Sequence, residues 1–352
     1  MISIEGGSDT HLEAGIGIDL LDFTTMDDPR EPERGPENTS MPAERAQERI
    51  GRPTPDQLLQ AIERLLRSDR RHAERFIRYA KETRMSLEHV WCSFGEDDSI
   101  LATALASPSP GGTAMLFASS PHASEEATAI GRIIEATCSS LASSGTALAQ
   151  ALVEPGDILE QEAFVHGGLR RLATLTYMER PVPKRNTIPA PELPDGISLK
   201  RFRNDDRPVL ERLLIETYRD TLDCPGLAGL RSPSDVVDGH IHSGIFRPQW
   251  WFIAYDRGTP CGVVLLNGSA GSSSIELVYL GIISTARGRG IGPALLQHGL
   301  HVVAGSRERT IVLAVDEANA PALAMYEKAC FQRTIRRVAL IRSLNPPAGG
   351  AT

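Results

Sequence analysis

The segment "STARGRGIGPALLQHG", residues 284–299, decides the fold of the C-terminal half of the chain. It lies between an apolar run typical of a β-strand, "SIELVYLGI", and an amphipathic run typical of a helix. Gly288, Gly290 and Gly292 allow positive φ angles and leave backbone N–H groups unshielded. The helix directs its unsatisfied N–H groups and the positive end of its dipole at the same place. Positive charge is added there by Arg287 and Arg289. The pattern predicts a binding site for phosphate or pyrophosphate.

Two nucleotide-binding loops are weaker interpretations of this segment. A dinucleotide-binding loop has the spacing GxGxxG and an acidic residue after the next strand, whereas the glycines here are spaced GxGxG. A Walker loop needs Gly-Lys followed by Ser or Thr, which is absent. An ordinary tight turn that happens to be basic remains an alternative.

Two motifs in this region resemble those of the GCN5-related N-acetyltransferase (GNAT) superfamily. "ELVYLGIISTARGRGIGPALL" resembles its motif A, in which a strand leads through R/Q-x-x-G-x-G/A into a helix, and Arg287, Gly290 and Gly292 match. About thirty residues on, "VDEANAPALAMYEKACF" resembles N-x-x-A-x-x-x-Y-E-K-x-G-F, with Cys330 where Gly is usual. The matching positions are Asn319, Ala322, Tyr326, Glu327, Lys328 and Phe331. The resemblance covers residues 196–342.

The resemblance implies that acetyl-CoA, or another acyl-CoA, binds between two strands that splay apart. Its pyrophosphate would lie on the 287–292 loop and its pantetheine amides would pair with strand 277–283, whose backbone groups need partners. No metal is expected. The implied cofactor-binding residues are Leu280, Gly281, Ile282, Arg287, Gly288, Arg289, Gly290, Ile291, Gly292 and Asn319.

Acyl transfer from a thioester to an amine needs a base, an oxyanion donor and an acid for the leaving thiolate. The candidate base is Glu276, which period 2 places on one strand face with Val278, Leu280 and Ile282. A charge facing solvent at a sheet edge is an equal alternative. The oxyanion donor would be the N–H of Gly281 or Ile282.

The candidate acid is Tyr326, which the resemblance directs into the site from the last helix. A core aromatic residue is the alternative. Asn319 would bond the cofactor or cap that helix.

The acceptor amine is expected against the connection between the first two helices of this half. Its candidate contacts, of which an ordinary solvated loop is the alternative, are Tyr218, Asp220, Thr221 and Asp223.

The two halves of the chain repeat the same order of elements at an offset of 162 residues, which indicates duplication of one fold. The predicted fold class is α/β: two tandem GNAT folds, each a splayed mixed sheet flanked by helices. In the first half, this offset places two glutamates at the positions where a pyrophosphate-binding loop would lie. The paired positions are Arg287 with Glu125, Gly290 with Thr128, Gly292 with Ile130, Glu276 with Ala114, Asn319 with Asp157, and Tyr326 with Phe164. We expect the first half to have lost CoA binding and to serve a structural or acceptor-shaping role.

Composition limits the other function classes. The chain has 352 residues, a net charge of −8 and five scattered cysteines without CxxC spacing, which favours a reduced, cytoplasmic protein. No basic stripe, signal peptide or membrane span is apparent, so neither nucleic acid nor membrane is an expected partner. A homodimer stays open, as does translation from Met41. The predicted boundaries are an acidic disordered tail at 1–52, a degenerate domain at 53–180, a Pro-rich linker at 181–196, an active domain at 197–345 and a tail at 346–352.

The sequence therefore predicts an acyl-CoA-dependent N-acyltransferase that acts on a small-molecule or peptide amine. A non-catalytic acyl-CoA-binding regulator is the alternative, but it would need neither Glu276 nor Tyr326.

Overall fold

The computed structural model describes residues 49–83, 85–269 and 272–345. Most of the predicted acidic tail and the predicted tail at 346–352 lie outside these residues. Arg49–Gly51, which the prediction included in the acidic tail, forms a β-strand instead. It pairs with a later strand through main-chain hydrogen bonds, so the ordered domain begins before the first helix.

The described residues divide into two compact units. The C-terminal unit is Thr176–Ala228 with Val236–Ile335. The N-terminal unit contains the described residues at 49–175, 229–235 and 336–345. Each unit takes residues from both halves of the chain.

The N-terminal unit packs helices against a mixed sheet. Its elements are β1 (Arg49–Gly51), α1 (Leu58–Leu66), α2 (Arg70–Thr83), β2 (Val90–Phe94), β3 (Ile100–Ser109), β4 (Thr113–Ala118), α3 (Ser124–Ser143), β5 (Leu148–Val153) and α4 (Ile158–His166). β1 to β4 form antiparallel neighbours, and β4 pairs parallel to β5 across the α3 crossover. α1 buries Ala61, Ile62, Leu65 and Leu66, the spacing of one helix face.

The C-terminal unit repeats this order. Its elements after β6 (Arg170–Pro181) are β7 (Ile197–Arg201), α5 (Arg207–Tyr218), α6 (Pro233–Ile241), β8 (Phe252–Asp256), β9 (Thr259–Gly268), β10 (Ser274–Ile282), α7 (Ile291–Val303), β11 (Thr310–Asp316), α8 (Ala320–Lys328) and β12 (Gln332–Ser343). β9 is apolar on both faces because Val264 and Leu266 pack in the core under α7, while Val263 and Leu265 pack in the core with α5 and α6.

The last strand of each half belongs to the sheet of the other half. β12 pairs antiparallel with β5, and its Val338 and Leu340 lie in the hydrophobic core of the N-terminal unit. β6 lies next to β11, and its Met178 lies in the core of the C-terminal unit. The strand order is therefore β1-β2-β3-β4-β5-β12 in the N-terminal unit and β6-β11-β10-β9-β8-β7 in the C-terminal unit.

The bounds of the elements confirm the duplication. A shift of 162 residues brings β2 (Val90–Phe94) onto β8 (Phe252–Asp256) and α4 (Ile158–His166) onto α8 (Ala320–Lys328). The same shift brings β6 onto β12, and in all three pairs both ends coincide. Two tandem copies of one fold, as predicted, make up the described part of the chain.

Candidate active site

The central strands of the C-terminal unit separate where the sequence predicts a splay. β10 pairs with β11 only from Ser274 to Glu276, opposite Thr310 to Val312. From Leu277 to Ile282, β10 remains paired with β9 alone. Its backbone groups on the β11 side therefore have no strand partner there and can pair with an extended ligand.

The glycine loop closes one end of this gap. Gly288 and Gly290 have φ angles of 75° and 78°, in the left-handed region, and Gly290 is the N-cap of α7. Among the described residues, none accepts a hydrogen bond from the backbone N–H groups at 288–292. These amides and the positive end of the α7 dipole can hold an anion.

The two arginines of the loop are held by the protein itself. The Arg289 guanidinium forms an ion pair with Asp256. Arg287 donates hydrogen bonds to four backbone carbonyls, one of them that of Ile282. Both arginines therefore add positive charge to the loop, but their guanidinium groups already bind other groups of the protein.

Glu276 lies on an interior strand, paired with Asn267 of β9 and with Val312 of β11. The Ser243 hydroxyl donates to Glu276 Oε2 at 2.9 Å. Burial raises the pKa of the Glu276 carboxyl, and the hydrogen bond from Ser243 partly opposes the rise. A solvent-facing charge at a sheet edge does not describe this environment.

Because of a β-bulge between Leu277 and Tyr279, Glu276 shares a strand face with Val278, as predicted, but not with Leu280 and Ile282. The extra residue interrupts the alternation of side chains, because two consecutive residues then point to one side. Val278 and Tyr279 pack with the α5 and α6 core, whereas Leu280 and Ile282 pack with the α7 core. Leu280 and Ile282 are thus on the opposite face from the one the period predicted.

Tyr279 is the residue that the sequence analysis missed. The bulge brings its ring against His240, with ring centroids 5.3 Å apart, and against Tyr218 at 5.7 Å. Its hydroxyl lies 2.8 Å from Thr217 Oγ1. A Cβ on Gly281 would lie 2.6 Å from the Tyr279 ring, so Gly281 leaves room for it. Nothing in the sequence marks the bulge. A regular strand alternation would place Tyr279 on the face opposite Glu276.

Tyr326 and Asn319 come from α8, beside the end of β11. The Tyr326 ring is buried in the core of the C-terminal unit and contacts Phe331, with centroids 5.8 Å apart. Burial, and secondarily the charge of Asp223, raises the pKa of Tyr326, so the phenol stays protonated at neutral pH. Asn319 caps α8 by accepting a hydrogen bond from Ala322 N at 3.3 Å.

The loop after α5 is joined to the end of β11. Asp223 Oδ1 accepts from Asp316 N at 2.9 Å, and Asp316 Oδ2 accepts from Cys224 N at 3.1 Å. Burial raises the pKa of Asp223, whereas hydrogen bonds from the Asp316 amide and the Asn319 side chain lower it. Thr221 Oγ1 accepts from Asp223 N at 3.0 Å. The residues predicted to meet the acceptor thus lie on a loop that contacts the gap.

The equivalent region of the N-terminal unit has no such loop. Helix α3 already begins at Ser124, so Glu125 and Thr128 lie inside its first two turns, and the Thr128 hydroxyl donates to Ser124 O. Phe164 is buried at the position equivalent to Tyr326. Asp157 caps α4 as Asn319 caps α8. The splay persists, with β4 and β5 paired only from Thr113 to Met115.

Among the described residues, no group of three or more His, Cys, Asp or Glu side chains could hold a metal ion. No described helix combines the length and the apolar character needed to cross a bilayer.

Comparisons with known proteins agree with this geometry. Residues 215–330 match the "Acetyltransferase (GNAT) family". The chain is 28% identical over 199 residues to a mycothiol acetyltransferase of Tsukamurella paurometabola, covering 50% of this chain and 61% of the relative. It is 31% identical over 173 residues to that of Salinispora tropica, covering 47% and 53%. It thus spans between half and two thirds of the length of these relatives.

A solved structure shares the fold. The GCN5-related N-acetyltransferase from Sphaerobacter thermophilus matches with a TM-score of 0.54 and 19% identity, over 85% of this chain and 96% of the other. This likeness shows the fold alone. The match to the acetyltransferase (GNAT) family covers residues 215–330, and the fold that the solved structure shares covers most of the chain.

Proposed function

We propose that this protein is an acyl-CoA-dependent N-acyltransferase, and that its C-terminal unit transfers an acetyl group from acetyl-CoA to an amine. The observation that carries the proposal is the gap between β10 and β11, which has unpartnered amides of the 288–292 loop at one end and Glu276 at the other. The mycothiol acetyltransferase relatives support an acceptor of small-molecule size. A peptide amine fits the same chemistry.

The pyrophosphate of the cofactor would bind the N–H groups at 288–292, and its pantetheine amides would extend β10 on the β11 side. Two extended chains that exchange main-chain hydrogen bonds bind without needing particular side chains. The thioester would then lie beside Gly281 and Ile282, whose N–H groups are the candidates to stabilise the oxyanion.

The reaction is direct attack within a ternary complex. The amine nitrogen attacks the thioester carbon after Glu276 accepts an amine proton, and a tetrahedral oxyanion forms. Its collapse breaks the carbon–sulfur bond, and Tyr326 gives its phenolic proton to the leaving thiolate. The products are an amide and free CoA. The raised pKa of Glu276 suits a base, and the raised pKa of Tyr326 keeps an acid loaded with its proton.

The N-terminal unit is proposed to be a structural partner that does not bind CoA, because α3 replaces the anion-binding loop. Its acidic first turn, with Glu125 and Glu126, would repel a pyrophosphate.

The variant Tyr326→Phe tests the proposal. It keeps the ring in the core and removes only the hydroxyl, so CoA affinity should stay constant while acetyl transfer falls by about 10²–10⁴-fold. CoA release with a panel of amines (polyamines, amino acids, aminoglycosides and peptides) measures transfer, and calorimetry measures CoA affinity. Tyr255→Phe, a tyrosine of β8 in the same unit, is the matched control.

Two outcomes would contradict the proposal. Unchanged transfer in Tyr326→Phe would remove the phenol from the mechanism. Tight CoA binding by the wild type, with no transfer to any amine class, would favour a non-catalytic CoA-binding regulator instead.

A further inference from the structure

The Arg287 side chain is almost fully engaged with the protein backbone. Its Nε donates to Ile282 O at 3.1 Å and its Nη1 to Asp220 O at 2.6 Å. Its Nη2 donates to both Thr217 O at 3.0 Å and Arg219 O at 2.9 Å. A guanidinium has five N–H donors, so only one is left for a phosphate.

Three of these acceptors are at the end of α5. The last carbonyls of a helix have no partner within the helix, and they are usually satisfied by a following glycine or a nearby cation. α5 has no basic residue in its last turn, and it is followed by Arg219 in an extended conformation. Arg287, 70 residues later in the sequence, therefore acts as the C-terminal cap of α5.

The loop that Arg287 holds is strained. Asp220 and Cys224 have φ angles of 54° and 47° without being glycine. Such conformations persist only where surrounding contacts impose them. Here the contacts are Arg287 at one end of the loop and the paired Asp223 and Asp316 bonds at the other.

The held loop also reaches the reaction gap. Thr217 contacts the Tyr279 hydroxyl on β10, and Asp223 contacts Asp316, the last residue of β11. The charge of Asp223 also raises the pKa of Tyr326. Gly288, the first residue of the anion-binding loop, follows Arg287 directly. One residue thus links the backbone that would hold the cofactor to the loop that would hold the acceptor.

We propose that Arg287 is a positioning residue that caps α5 and holds loop 219–224 in place, and that it couples occupancy of the 288–292 loop to the order of this acceptor loop. This assigns its side chain to the loop and not to the cofactor phosphate. That the loop meets an acceptor rests on the proposed function, whereas the cap itself does not.

Hydrogen–deuterium exchange of residues 217–224 tests the cap in the full chain, with the variants Arg287→Ala and Arg287→Lys. Lysine keeps the charge but cannot make the forked contacts to several carbonyls. We expect exchange in both variants to be at least about tenfold faster than in the wild type, which corresponds to about 1.4 kcal/mol. CoA dissociation constants should change less than about threefold. Arg289→Ala, which removes the neighbouring cation, should leave the loop unchanged.

Exchange with and without CoA in the wild type tests the coupling. CoA should slow exchange at 217–224 in the wild type and have no such effect in either Arg287 variant, since Arg287 supplies the proposed contact between the two loops. The wild-type comparison does not depend on whether any variant folds.

Several results would overturn the proposal. Unchanged exchange in Arg287→Ala would remove the cap, and wild-type exchange insensitive to bound CoA would remove the coupling. CoA affinity lost in Arg287→Ala but restored in Arg287→Lys would assign the side chain to phosphate. If the wild type did not bind CoA at all, the proposed function would fail, while the exchange of the unliganded variants would still decide the cap.

Discussion

Glu276, the proposed base, also affects the stability of the protein through its ionisation. Its carboxyl group is buried on an interior strand with one hydroxyl partner, Ser243, and burial raises its pKa. A raised pKa means that the folded protein binds the proton more tightly than the unfolded chain. The free energy of unfolding therefore falls as pH rises from the ordinary glutamate range through the raised pKa, and it stays lower above it. The carboxylate therefore lowers stability at any pH where it is ionised.

Glu276→Gln should therefore stabilise the protein and inactivate it. Glutamine can still accept the Ser243 hydrogen bond but carries no charge, so we expect the Tm at pH 7.5 to rise by about 2–4 °C. The difference should shrink as pH falls towards about 4, where the wild-type carboxyl is protonated as well. Acetyl transfer should fall by about 10²–10⁴-fold. Calorimetric scans across pH and the CoA-release assay measure the two effects.

The matched control is Glu211→Gln, which removes a carboxylate that pairs with Arg207 on α5 away from the strand. It should lower stability slightly and leave activity intact. A Glu276→Gln protein that is less stable than the wild type at every pH would show that the carboxylate has a partner that offsets its burial.

Residue identity at the site was predictable where a motif carried it. The motif spacing correctly predicted Glu276 on a strand and Asn319 and Tyr326 at the start and within the last helix, and the roles of these residues in the reaction stay predictions. Tyr279 was not predictable, because a one-residue bulge reverses the side-chain alternation and leaves no mark in composition. The contacts of Arg287 were not predictable either, since its charge next to three glycines favours a phosphate ligand when the fold is unknown.

The N-terminus of α7 is the element that distinguishes the two copies. Gly290 has a φ angle of 78°, yet a Cβ there would meet nothing closer than Pro194 Cγ at 3.9 Å. Gly290→Ala therefore changes backbone strain without a steric clash. We expect a stability loss of about 1 kcal/mol or more. We also expect about tenfold weaker CoA binding, because the amides of the loop lose their alignment.

Gly156→Ala is the matched control, since its Cβ would also meet nothing within 4 Å and its φ is not in the left-handed region. It should change neither unfolding in urea nor calorimetric CoA binding. Equal CoA affinity of Gly290→Ala and the wild type would place the pyrophosphate elsewhere.

Most elements could be predicted because apolar periodicity and turn residues are local properties. The runs "VWCSF" and "WWFIAYD" became β2 and β8, and the Pro-rich stretch at 182–196 contains no helix or strand. The pairing of β12 with β5 could not be predicted, because β6 and β12 are copies with the same pattern and the sequence does not say which sheet each one joins. Long-range partner choice depends on packing of the complete chain.

At the scale of the whole molecule, this exchange makes each unit depend on the other half of the chain. If the chain is divided within the 182–196 segment, a fragment of residues 1–190 contains β6 but lacks β12, and a fragment of residues 191–352 contains β12 but lacks β6. We expect neither fragment to fold stably alone, since each leaves β5 or β11 with an unpaired edge. Co-expressed fragments should co-purify at a 1:1 ratio and regain CoA binding, as measured by affinity capture through a tag on one fragment.

The competing outcome is that each fragment closes on itself, with β6 taking the place of β12 beside β5, which is the reverse of a domain swap. The 162-residue offset aligns Val338 with Thr176 and Leu340 with Met178. Self-closure would therefore put Thr176 where Val338 now packs and Met178 where Leu340 now packs. The Thr176 hydroxyl is already buried without a hydrogen-bond partner among the described residues, so its burial alone favours neither pairing. The exchanged pairing should win because the core beside β5 fits the side chains of β12, and side chains of another shape fill it less well. The double variant Thr176→Val with Met178→Leu gives β6 these two side chains, so its 1–190 fragment should gain stability on its own. An equally unstable fragment would show that side-chain packing does not decide the exchange.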